Sequence, residues 1–190
     1  MLALPAMAQE PITPQTTMRE IRQNPAVQAS GLYTDIHTWE RDRAWFNNAH
    51  NNVTLEEVVR SVSAASCSAW LNLLIQNYES GTQITYKLYS PEEIAAQPSR
   101  DHAELYYFPA DTPNARYAVV LSGNALYYSG ELRGGVSTAW ELHEQGYAVF
   151  VLRYRIGREA GNNAPMDDLG RAIQFITANA ETFGVQPEGY

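Results

Sequence analysis

Ser122-Gly-Asn-Ala-Leu-Tyr-Tyr-Ser-Gly130 is the stretch whose residue types and position could support chemistry. It ends the apolar run that begins at Arg116, and a loop after a buried parallel strand lies at the carboxyl edge of its sheet, where open α/β folds place ligands. Tyr127 and Tyr128, with Trp140 beyond them, could line a site that stacks on sugar or aryl groups, although aromatic residues in such loops also serve as packing. The remaining reactive side chains are dispersed. His37, His50, His102 and His143 include no pair with metal-ligand spacing on one helix, so each reads as a surface or structural residue. Asp167 and Asp168 read as acidic charge at the positive end of a helix. Cys67 is the only cysteine and, inside an apolar helical stretch, reads as a buried structural thiol. Asn52-Val-Thr54 is a formal glycosylation sequon, but a capping role explains its threonine equally well. No metal and no cofactor is implied.

The elements that would position the loop are read from periodicity. Arg116-Tyr-Ala-Val-Val-Leu-Ser-Gly123 and Tyr147-Ala-Val-Phe-Val-Leu-Arg-Tyr154 are short continuous apolar runs, the pattern of strands buried on both faces of a parallel sheet. Val136, Ala139, Trp140 and Leu142 lie between them at helical spacing, and Gly146 suits a left-handed helix end, so the unit is βαβ. Asn163 is placed to cap a further helix, with Pro165 in its first turn. Its stripe runs Leu169, Ile173, Ile176, Ala180 and Phe183, and Gly184 ends it. Upstream, Thr82 to Tyr89 and Ala103 to Phe108 read as an antiparallel pair joined through Pro91 to Arg100. Thr54-Leu-Glu-Glu57 is a capping box, and Leu55, Val58, Val59, Val62, Trp70, Leu73 and Leu74 read as the stripe of one long helix.

Composition fits a chain with one sizeable core: 190 residues, 45% hydrophobic and 11% aromatic. A net charge of −8 argues against nucleic acid or an anionic membrane as partner, and no stretch approaches the roughly 20 apolar residues that span a bilayer. Leu2-Ala-Leu-Pro-Ala-Met-Ala8 resembles the tail of a secretory signal with Ala6-Met7-Ala8 as its cleavage pattern, but lacks the basic region and most of the apolar core. The expected location is periplasmic or secreted; cytoplasmic is the alternative, with the segment as a disordered alanine-rich arm. Three regions are expected: 1–17, a signal remnant or disordered arm; 18–80, a helical segment; and 81–190, an α/β core.

Leu121-Ser-Gly-Asn-Ala, Leu132-Arg-Gly-Gly135, Gly146-Tyr-Ala-Val-Phe-Val-Leu-Arg-Tyr-Arg155, Pro165-Met-Asp-Asp-Leu-Gly-Arg-Ala172 and Asn179-Ala-Glu-Thr-Phe-Gly-Val185 resemble, in order and spacing, the α/β-hydrolase family. The branch they resemble holds carbohydrate esterases and lipase-like enzymes, including acetyl xylan and feruloyl esterases. The resemblance covers residues 82 to 190 and implies antiparallel first strands followed by parallel βαβ units, an incomplete form of that sheet. It also implies that the loop after the third strand, usually His-Gly-Gly-Gly or Pro-Gly-Gly-Gly, lends backbone N–H groups to a developing oxyanion. Here the loop is Ser122, Gly123, Asn124 and Ala125, which assigns that role to Gly123, Asn124 and Ala125. Two glycines are replaced, and Asn adopts the required dihedrals more readily than Ala.

The family nucleophile lies in Gly-x-Ser-x-Gly after strand five, followed by an acid and then a histidine. No such motif is present, and Gly135-Val-Ser-Thr-Ala139 begins a helix with no strand before it to strain Ser137 into an elbow. All four histidines precede the expected position of the serine. The chain is therefore expected to stop short of the elbow and, by itself, to lack nucleophile, acid and base. The complete protein would hydrolyse a small-molecule ester or acylated carbohydrate through an acyl-serine. The alternative is a non-catalytic hydrolase-derived fragment or interaction module. An unpaired strand edge in such a fragment is expected to drive self-association.

Overall fold

The computed structural model describes residues 10–31, 51–60, 62–123, 126 and 130–188, with Arg133 by its backbone alone. Residues 1–9 lie outside it. Residues 10–17, expected to lack fixed structure, are instead held down: Ile12 is buried, and Asn72 accepts its N–H and donates to its carbonyl, both at 2.8 Å.

Local caps set the helical segment. Thr17 and Glu20 form a capping box for α1, Met18–Gln23, and the side chain of Asn24 accepts from the first N–H groups of α2, Pro25–Ser30. Thr54 and Glu57 make the expected box for α3, Leu55–Val59. The single long helix expected from Leu55 to Leu74 is in fact two. The chain turns at Arg60 (φ 18°, ψ −41°), and Ser63 starts α4, Ala64–Glu79, by accepting from Ser66 N–H. The apolar stripe survives the break, because Leu55, Val58 and Val59 share one buried cluster with Trp70, Leu71 and Leu74.

Strand β1, Thr85–Lys87, is shorter than expected and pairs antiparallel with β2, Glu104–Phe108, placing Tyr86 opposite Leu105. Their connection contains α5, Pro91–Ala96, under a Ser90–Glu93 capping box, and a 3₁₀ turn, Pro98–His102. Strand β3, Tyr117–Leu121, leads through a π-helical turn, Glu131–Gly135, into α6, Val136–Glu144. Gly146 (φ 88°) closes that helix ahead of β4, Ala148–Arg153. β3 and β4 are parallel, as the βαβ reading requires, and β2 pairs antiparallel with the other side of β4.

The sheet order is β1-β2-β4-β3. Central β4 is buried along its whole length, while β3, expected to be covered on both faces, has Tyr117 and Val120 buried but Leu121 42% exposed at its end and, among the described residues, only β4 as a paired strand. Side chains alternate between two layers. Tyr106, Phe108, Val149 and Val151 face the helical segment and α6. Leu105, Tyr107, Phe150 and Leu152 face α7, Ala164–Ala178, and α8, Ala180–Phe183. The expected unbroken helix to Phe183 is thus interrupted at Asn179, whose Nδ2 donates to Phe175 O. Past Gly184 (φ 62°), Val185 forms a parallel bridge with Ala115, at the start of β3.

Candidate active site

The loop after β3 is fixed at its base by close packing. Ser122 is buried, and a Cβ at Gly135 would lie 3.0 Å from Ser122 Cβ and 3.6 Å from Val151, so the π-helical turn packs directly on the end of β3. At Gly123 a Cβ would lie 2.5 Å from the hydroxyl oxygen of Tyr154, the first residue beyond β4. Leu126, in the left-handed region (φ 62°), accepts a 2.8 Å hydrogen bond at its carbonyl from Gly157 N–H. The loops after β3 and β4 therefore meet at the carboxyl edge of the sheet. Gly123 is solvent-exposed there. Asn124, Ala125, Tyr127 and Tyr128 lie outside the described residues.

Behind this edge stands a charged cluster that sequence reasoning missed. Asp168 is 0% exposed and Arg155 2%. Asp168 accepts from Arg155 backbone N–H at 2.9 Å, Nε at 3.0 Å and Nη2 at 2.7 Å, and from the Tyr89 hydroxyl at 2.7 Å. The reading of Asp168 as helix-end charge is thereby corrected: Asp167 occupies that exposed first-turn role, and Asp168 anchors α7 to the end of β4. Asn163 stands at the cap position but in a left-handed conformation, with no side-chain capping bond. Burial, together with the hydrogen bond and charge of Asp168, pushes Tyr89 up to about 12. Burial opposes the charge of Arg155, but the hydrogen bonds and charge of Asp168 outweigh it and raise its pKa. The guanidiniums of Arg100 and Arg171 also lie on the Tyr89 ring, at 4.9 and 5.7 Å.

A second buried charge group lies on the opposite layer. Arg153 donates to Glu131 at 2.9 Å, to Glu104 at 2.7 Å, to Gly31 O at 2.6 Å and to the Tyr106 hydroxyl, tying β4 to the π-helical turn, to β2 and to the end of α2. The sequence signal for both groups is the same: Arg153 ends an otherwise apolar strand and Arg155 follows two residues later, where a buried cation persists only with partners.

Ser137 is buried in the first turn of α6, behind a π-helical turn rather than a strand. His102 is surface-exposed and pairs with Glu159 at 2.7 Å. His143 lies against Trp140, with its Nδ1 buried and without a partner among the described residues. His37 and His50 lie outside those residues. Cys67 is buried, donates to Leu132 O at 3.3 Å, and burial pushes its thiol up to about 12, so it is an inert packing group. Among the described residues no three His, Cys, Asp or Glu side chains gather as a metal-ligand set, and no helix is long and apolar enough to cross a membrane.

Residues 104–189 match the BD-FAE family model, an α/β-hydrolase-type family. Strands β2, β3 and β4 lie within the matched segment, and the mixed sheet is consistent with a partial α/β-hydrolase fold. Solved α/β hydrolases similar to the chain include MGS-M1 from a Medee basin deep-sea metagenome library, 20% identical, covering 46% of this chain and 38% of that one with a TM-score of 0.43. An acetyl ester-xyloside bifunctional hydrolase from Caldicellulosiruptor lactoaceticus is 19% identical over 55% of this chain and 39% of that one, with a TM-score of 0.47. The chain thus spans about two fifths of the length of these two proteins. No curated protein matches it. Within the matched segment, the loop that opens at Ser122–Gly123 follows β3, and the Val185–Ala115 bridge brings the chain back beside the start of that strand.

Proposed function

We propose that this chain is the amino-terminal part of a serine carboxylic-ester hydrolase whose substrate is a small-molecule ester or an acylated carbohydrate. The observation that carries the reading is the exposed Gly123 at the carboxyl edge of an α/β-hydrolase-like sheet, within the segment that matches BD-FAE. In this reading backbone N–H groups of Gly123, Asn124 and Ala125 hold the developing oxyanion, and Tyr127 and Tyr128 line the substrate. Nucleophile, acid and base come from elements later than β4, in the chain order serine, acid, histidine. The Ala6-Met7-Ala8 pattern supports export to the periplasm or beyond.

The test compares the 190-residue chain with a form extended past Tyr190. The short chain should turn over p-nitrophenyl acetate no faster than a heat-denatured control or its Ser137→Ala variant, while the extended form should be active and label with a fluorophosphonate serine probe. An extended form that neither hydrolyses esters nor labels would favour a non-catalytic module.

The edge of β3 supports a separate expectation for the short chain. Along β3 the far edge carries, among the described residues, only the bridge at its start. A second copy can pair there. Light scattering behind size exclusion should show dimers or larger species; a monodisperse monomer with a cooperative thermal transition would count against this use of the edge.

A further inference from the structure

We propose that the guanidinium of Arg100 is the centre of a carboxylate-binding site, an open two-nitrogen fork held on the Tyr89 ring and suited to the acid group of an organic acid or acidic sugar. The site lies apart from the Gly123 loop and does not depend on the ester-hydrolase reading.

Geometry fixes the fork. Three guanidiniums gather on the ring of Tyr89, Arg100 at 4.9 Å from its centroid, Arg155 at 5.6 Å and Arg171 at 5.7 Å. Two of them already hold a carboxylate: Arg155 that of Asp168 at 2.7 Å, and Arg171 that of Glu93 at 3.0 Å. The side chain of Arg100, the cation nearest the ring, has neither a carboxylate nor another hydrogen-bond acceptor among the described residues, and its neighbour Asp101 is taken by Lys87 at 3.0 Å. Its Nε is buried without a partner, whereas neither terminal nitrogen is sealed in that way, so both Nη groups open to solvent. The platform is rigid, because Tyr89 is 8% exposed and its hydroxyl is spent on Asp168. The backbone is held too: Arg100 N–H donates to Gln97 O at 2.9 Å, at the start of the 3₁₀ turn Pro98–His102.

A guanidinium so placed has lost part of its hydration and gained no acceptor in return, and a bound oxyanion supplies one. Little side-chain freedom is left to lose on binding. Charge selects the ligand. One uncompensated cation stands beside two carboxylates that are already paired, so a monoanion balances the cluster, while a dianion such as phosphate meets the repulsion of Asp168 and Glu93. The position is that of a ligand site in an open α/β sheet: Tyr89 lies two residues past Lys87, which is opposite Glu104, which in turn is opposite Arg153 at the carboxyl end of β4.

The test is a ligand-observed NMR titration of the 190-residue chain with glucuronate, with glucose as the neutral control and inorganic phosphate as the dianion. We expect saturable glucuronate binding in the millimolar range, at least about tenfold tighter than glucose, tighter than phosphate, and weakened by added salt. Arg100→Met, which keeps a stem on the ring and removes the fork, should lower the affinity about tenfold or more while the thermal transition stays in place. Arg100→Lys keeps the charge without the fork and should lose affinity several-fold; it decides the matter if the methionine variant does not fold. Glucuronate bound no better than glucose, or equally well by wild type and the Arg100 variants, overturns the site. Phosphate bound more tightly than glucuronate overturns the carboxylate assignment.

Discussion

Asp168→Ala should destabilise the fold by about 3–5 kcal/mol, the range seen when one member of a buried ion pair is removed. The carboxylate is fully buried and takes four donors from two segments, the Arg155 backbone and guanidinium and the Tyr89 hydroxyl. Without it, Arg155 keeps a 3.3 Å bond to Ala164 O and the Tyr89 hydroxyl at 3.4 Å, which leaves a buried cation with neutral partners only. Arginine does not escape by losing its proton. The residual charge is what makes the single variant severe, so the double variant Asp168→Leu with Arg155→Met should recover much of the loss. Urea denaturation reads both. A shift below about 1 kcal/mol for Asp168→Ala, or a double variant worse than the single, would sink this account of the cluster.

The second large effect is expected at the joint between the helical segment and the sheet. Trp70 on α4 is 1% exposed and packs on Phe108 at 4.8 Å and Tyr106 at 6.4 Å between ring centroids. Trp70→Ala should cost about 3–5 kcal/mol through lost burial and the cavity left behind. Trp70→Phe should cost much less, because the indole Nε1 is buried with no partner among the described residues, and removing it relieves an unsatisfied donor. The pair of variants separates volume from polarity. Equal losses in the two would mean that Nε1 has a partner after all. Since Ile12, Trp70 and Val149 share one apolar cluster, the alanine variant should loosen the helices and the sheet in a single transition.

What could be read from the sequence was what local rules determine. The capping box at Thr54, the helix stops at Gly146 and Gly184, the parallel β3–α6–β4 unit and the antiparallel β1–β2 pair each depend on residues close together in the chain. The break after Val59 was not legible, because the apolar spacing continues in phase across Arg60. Asp168 was misread because an acid at the start of a helix has the same local signature whether it faces water or an arginine 13 residues upstream. The exposed end of β3 at Leu121 and its open edge were missed for a related reason: a run of apolar residues shows that a strand is covered, but strand order decides whether both of its edges are paired. At the candidate site, the resemblance located Gly123 and its loop. The packing of Tyr154 against Gly123 escaped notice because it joins two loops that are distant in the chain.

The order β1-β2-β4-β3 also governs how the chain can emerge from a ribosome. β2 and β3 are consecutive in sequence yet separated by β4, so the hairpin that nearest neighbours would normally form first is not part of the native sheet. Until Arg153 has been synthesised, neither strand has the β4 partner that every residue of each will face, so β2 has only the short β1 beside it and β3 waits as an unpaired apolar segment. Translation that pauses before β4 should therefore leave a nascent chain that depends on chaperones, and faster passage through Ala148–Arg153 should raise the yield of folded protein.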